Sequence, residues 1–167
     1  MYEKTAIISA CGNYRYELRR IWQPKRGVVL FVMLNPSTAD ANIDDNTIRR
    51  CMGYAATWGK GGIVVGNLFA YRATKPTDLK KAFDPVGPLN DKYLRAMSDK
   101  AKITVCAWGN HGKYLNRDKA VLSLIKDPRC LAINKTGTPK HPLFAESWLE
   151  PRPFTPNQRL HTEPTAR

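Results

Sequence analysis

The sequence predicts an α/β fold in three layers: a central four-stranded parallel sheet between two layers of helices, with a hairpin along its N-terminal edge. Three observations carry this. Val28 to Leu34 is an apolar run rich in β-branched residues, without helical period and too short to cross a membrane, which marks a strand covered on both faces. Beyond it, apolar runs and helical stretches alternate as far as residue 133. Each apolar run then ends in a polar loop, and in open parallel sheets ligands gather where such strands end.

Residues 5–13 (TAIISACGN) and 14–23 (YRYELRRIWQ) pair as an antiparallel hairpin that turns at Gly12-Asn13. The strand over 28–33 opens the parallel unit. A helix over about 45–58 follows, with Asp44 or Asp45 as its N-cap. Next come a strand over 63–66, a helix over about 89–100, a strand over 103–107, a helix over about 114–126 and a strand over 130–133. Right-handed crossovers put helices on both faces of such a sheet. The first parallel strand then lies between the second and third, because the winding direction must switch at a binding crevice.

At 167 residues the chain suffices for one self-contained domain, read here as residues 1–150. The tail over 151–167 is basic, holds four prolines and has little apolar content, which suits a draped or mobile extension. Twenty-seven Lys and Arg against 14 Asp and Glu leave a net charge of +13. That imbalance favours a polyanionic partner, with nucleic acid, and DNA above all, the first expectation and a monomer the expected state. Cys11, Cys51, Cys106 and Cys130 stand far apart with no C-x-x-C pair, so neither a metal nor another cofactor is expected. Met1 to Ala10 holds Glu3 and Lys4 without a secretory apolar core, and no stretch is apolar enough to span a membrane. A cytoplasmic protein with reduced thiols is the expectation.

The chemistry sits in four loops: LNPSTAD (34–40), GNLFAYRATKP (66–76), AWGNHGK (107–113) and NKTGTPKHPLF (134–144). On one rim they would bring together amides (Asn35, Asn67, Asn110), a hydroxyl (Ser37), aromatics (Phe69, Tyr71, Trp108) and the histidines His111 and His141. Arg72, Lys75, Lys113, Lys135 and Lys140 would stand around them as phosphate contacts. This inventory suits a planar, hydrogen-bonding, anionic ligand such as a nucleotide. Plainer roles exist for the same residues: turn fixing for Asn35 and Asn67, core packing for Trp108 and helix capping for Asp44 and Asp45. A third option groups Asp40, Asp44 and Asp45 as a hard-metal site for another enzyme of nucleotide metabolism.

The order LNPS, GNLF, WGNH, KHPLF over residues 28–144 resembles the motif order of the uracil-DNA glycosylase superfamily. More closely, MLNPSTAD, NLFAYRAT and KTGTPKHPLF resemble an uncharacterised bacterial and phage domain of unknown function. The resemblance implies a uracil-DNA-glycosylase-like fold and hydrolysis of the N-glycosidic bond of uracil, or of a modified or mismatched base, in DNA. It implies that Asn35 holds water, Asn67 reads the base edge and His141 donates to the departing base. Asp40 would supply negative charge, with Ser37, Phe69, Trp108 and Asn110 around the base. The chain departs from the superfamily in having Met33-Leu34 where glycine is usual and HPLF as a shortened last motif. A module that keeps the crevice without the chemistry is the alternative.

Overall fold

The computed structural model describes residues 2–37 and 39–156. Its elements are β1 (Glu3–Ile8), β2 (Arg15–Ile21), β3 (Val29–Met33), α1 (Asn46–Thr57), β4 (Gly62–Asn67), α2 (Pro76–Leu79), α3 (Asn90–Lys100), β5 (Ile103–Cys106), α4 (Arg117–Leu122), β6 (Pro128–Cys130) and β7 (Arg152–Pro153). Short 3-10 segments lie at Pro24–Arg26, Gly109–Asn116 and Pro142–Phe144. Among the described residues no helix is long and apolar enough to cross a membrane.

One mixed sheet of seven strands runs in the order β1-β2-β4-β3-β5-β6-β7. Within it β4, β3, β5 and β6 are parallel, and β3 lies between β4 and β5 as the switch in winding requires. The strand of the apolar run is covered on both sides. Val29, Phe31 and Met33 pack with Ile48, Cys51 and Tyr54 of α1, while Leu30 and Val32 pack with Leu79, Leu94 and Val121 of α2, α3 and α4. Alternate side chains of one strand thus enter two separate cores, which is why its sequence shows no alternation.

The sheet is larger than four parallel strands. The N-terminal hairpin does form, but β2 also pairs antiparallel with β4 and so extends the sheet rather than standing beside it. At the opposite edge β7 pairs antiparallel with β6, and Phe154 is buried edge-on against Trp108, their ring centroids 6.0 Å apart. One buried aromatic therefore anchors the beginning of the tail, so the folded unit runs past residue 150; residues 157–167 lie outside the described residues. The helix expected over 114–126 is only α4, because Leu115 and Asn116 adopt left-handed φ of 55° and 53° and end the preceding 3-10 turns. The strand expected over 130–133 stops at Cys130, since Ile133 bridges to Pro139 and closes a loop.

Gly61 locks the hairpin to the sheet. Its carbonyl accepts from Trp22 N at 2.8 Å and Gln23 N at 2.9 Å, and a Cβ there would lie 1.6 Å from Gln23 O. Gly61→Ala is expected to cost about 3 kcal/mol, read as a lower denaturant midpoint at unchanged m-value. A shift below a few tenths would show that this backbone contact yields freely.

Candidate functional site

The loops after β3, β4, β5 and β6 meet at the carboxyl ends of the parallel strands and enclose a cavity of about 560 Å³. Asn35, Ser37 and Asn67 line one part of it, and Trp108, Asn110, Lys140 and His141 another. Asn35 and His141 thus face one space.

Asn35 is clasped by its own loop. Its Nδ2 donates to Pro36 O at 3.0 Å and Ala73 O at 2.6 Å, which uses both amide protons and leaves Oδ1 without a hydrogen-bond partner among the described residues. Ala73 N donates back to Pro36 O at 3.2 Å, tying the first loop to the second. Turn fixing and an available oxygen therefore coexist in one residue.

Asn67 ends β4 and is 1% exposed, yet neither its Nδ2 nor its Oδ1 has a hydrogen-bond partner among the described residues. Its backbone is held firmly. Asn90 Nδ2 donates to Asn67 O at 2.9 Å and to Leu68 O at 3.1 Å, and Arg117 Nε donates to Leu68 O at 2.8 Å. Arg117 is in turn paired with Asp91. A buried amide left unpaired costs about 1–3 kcal/mol, and Asn67 is one of the residues that line the cavity. Asn90 and Arg117, which set this arrangement, carry no signal in the sequence beyond helical spacing.

His141 precedes the Pro142–Phe144 turn and accepts Leu143 N on Nδ1 at 3.2 Å, so the neutral ring carries its proton on Nε2. Burial lowers its pKa below the ordinary histidine value, against the opposing pull of Asp45. The ring is therefore a neutral donor near pH 7.

The acidic cluster divides into three separate tasks. Asp40 lies outside the cavity lining, and its Oδ1 accepts Asn42 N and Ile43 N, each at 2.8 Å, which hold its carboxyl below the usual range. Asp44 pairs with the buried Arg20 at 2.7 Å. Asp45 caps α1 through Ile48 N at 2.9 Å and accepts Ser37 Oγ on its other oxygen, also at 2.9 Å. It is the carboxylate that lines the cavity. Among the described residues no group of three or more His, Cys, Asp or Glu is placed to hold a metal ion.

Other expected contacts lie outside the cavity or serve its walls. Phe69 is fully buried against Tyr114, at 5.6 Å between centroids, and so belongs to the core; Phe144, 76% exposed, is the aromatic at the cavity mouth. Trp108 is nearly buried and forms wall rather than platform. Asn110 Oδ1 accepts from Asn134 Nδ2, Thr136 Oγ1 and Thr138 Oγ1, which makes it a staple between the third and fourth loops. Tyr71 packs edge-on against Tyr14, and Arg72 Nη1 reaches Gly12 O at 3.4 Å, both at the hairpin turn. Lys75 and Lys135 are exposed outside the lining, whereas Lys113 joins Lys80 and His111 around an adjoining space of about 350 Å³.

These features define an α/β protein with a ligand-sized crevice, lined by both polar and apolar side chains, at the carboxyl ends of four parallel strands. The chain belongs to the family described as Protein of unknown function (DUF1643), which it matches over residues 15–143. The matched stretch runs from the start of β2 to Leu143 and so contains Asn35, Asn67 and His141, stopping one residue short of Phe144 at the cavity mouth. No curated protein and no solved structure matches the chain.

Proposed function

We propose that the crevice binds a nucleobase and that the protein hydrolyses the N-glycosidic bond of uracil, or of a modified or mismatched base, in DNA. The single observation behind this reading is the orphaned, buried Asn67 amide, whose paired donor and acceptor complement the edge of a pyrimidine. Bond cleavage separates an oxocarbenium-like sugar from an anionic base. Neutral His141 offers Nε2–H to that anion, and Asn35 Oδ1 accepts from a water aimed at the sugar carbon. An amide takes up no proton near pH 7, so Asn35 orients the water without deprotonating it. The stabilising charge falls to Asp45 rather than Asp40, because Asp45 alone of the two faces the cavity.

Base choice tests the reading. Asn67→Asp exchanges a donor for an acceptor, so the preference among uridine, thymidine and cytidine deoxynucleosides in competition binding is expected to shift by about 1–3 kcal/mol, or roughly 5- to 150-fold. An unchanged preference would remove Asn67 from base recognition. The alternative, a binding module without chemistry, draws on the engagement of Asp45, whose two oxygens already accept from Ser37 Oγ and from the α1 N-terminus.

A further inference from the structure

Two buried arginines of β2 are treated differently by the fold. Arg20 is fully enclosed, and each guanidinium nitrogen has a partner: Nε donates to Asp44 Oδ1 at 2.7 Å, Nη1 to Arg19 O at 2.8 Å and Nη2 to Asp40 O at 2.5 Å. Arg15 is 3% exposed, and its one side-chain hydrogen bond among the described residues runs from Nη1 to Ala39 O at 2.6 Å. Its Nε is buried without a partner, and no described carboxylate forms an ion pair with it. Arg15 lines the crevice.

The aim of this side chain is built into the strand. Between β1 and β2, Ile7 faces Glu17 and Ile8 faces Arg15, so the pairing skips Tyr16. That bulge reverses the parity of the strand. Arg15 therefore reaches Ala39 on the α1 side, where Leu18 also packs, instead of pointing to the face where Tyr16 stacks on Tyr93 at 5.1 Å. A bulge that turns a buried cation into a cavity is costly unless the cation meets an anion there.

The vacant edge also has a definite shape. With Nη1 given to Ala39 O, the Nε–Nη2 side of the guanidinium remains, and its two parallel N–H groups match two oxygens of one oxyanion. We infer that Arg15 forms an oxyanion subsite that holds a phosphate of the nucleotide bound in the crevice. Desolvation pushes its pKa down to about 10, partly offset by Asp45 and reinforced by Arg72, as befits a cation awaiting its counter-charge. The subsite rests on the reading of this crevice as a nucleotide site, but not on bond cleavage, and it distinguishes a nucleotide from a bare nucleoside.

Calorimetric binding to the whole protein tests it with inorganic phosphate, deoxyuridine, deoxyuridine 5′-monophosphate and a uracil-containing oligonucleotide lacking terminal phosphates. At least one phosphate-bearing nucleotide probe is expected to bind about 10-fold or more tighter than deoxyuridine, and Arg15→Gln to abolish that gain, so that nucleoside and nucleotide bind the variant alike. A gain with the monophosphate assigns a phosphomonoester; a gain with the oligonucleotide alone assigns a backbone diester. Should Arg15→Gln fail to fold, Asp45→Asn, which keeps a capping oxygen but removes the opposing charge, is expected to tighten inorganic phosphate binding several-fold. Equal binding of nucleoside and both nucleotide probes, or a gain that survives Arg15→Gln or a phosphate affinity unmoved by Asp45→Asn, overturns the subsite. Release of base is scored separately. A phosphate gain without release refutes the hydrolase and leaves the subsite, whereas release without any phosphate gain does the reverse.

Discussion

His141→Ala is expected to lower the single-turnover rate of base release by about 10²–10³ while leaving substrate affinity nearly unchanged. In the proposed reaction the donor on Nε2 meets full negative charge only as the base departs, so its removal would act on the transition state. Asn35→Ala is expected to have a similar effect for a different reason, since it releases the water and also opens the clasp between Pro36 and Ala73. The pH profile follows from the same geometry. Protonation of Nδ1 breaks the bond from Leu143 N that orients the ring, and burial places that protonation below the usual histidine range. The rate should therefore stay level above neutrality and fall on the acid side, below the ordinary value of about 6.5. A profile that rises toward acid would mean that the imidazolium is the working form.

Asp44→Ala is expected to cost about 3–5 kcal/mol of stability, because it leaves the fully enclosed Arg20 guanidinium without its counter-ion. Arg20→Met combined with Asp44→Ala should recover most of that loss, since removing both members of a buried pair avoids the uncompensated charge. Chemical denaturation of the three proteins measures this directly. A single Asp44→Ala variant within about 1 kcal/mol of wild type would show that the carbonyls of Arg19 and Asp40 suffice to hold the charge.

The parts of the fold legible in the sequence are those with a local cause. The β-branched run at Val28 to Val32, the turn glycine at Gly12 and the capping carboxylate of Asp45 each act within a few residues, and β3, the hairpin and α1 follow from them. The two sheet edges were harder to read. The pairing of β2 with β4 and of β7 with β6 depends on partners more than 20 residues away, and β7 is only Arg152–Pro153. Within the site, the loop residues Asn35, Asn67 and His141 stand out because amides and a histidine at strand ends need a reason. Arg15 and Asp45 did not stand out as cavity residues. One is re-aimed by a bulge that depends on pairing register, and the other does double duty as a helix cap. Phe69 misled for the opposite reason: its place in a polar loop suggests a stacking surface, but long-range contact with Tyr114 takes it into the core.

The most direct measurement incubates the wild-type protein with oligonucleotides bearing uracil, thymine mismatches and modified pyrimidines, and scores abasic sites. The account predicts abasic product from at least one of them, lost in both Asn35→Ala and His141→Ala. Tight binding of a nucleotide in this crevice with no abasic product from any member of the panel would contradict it.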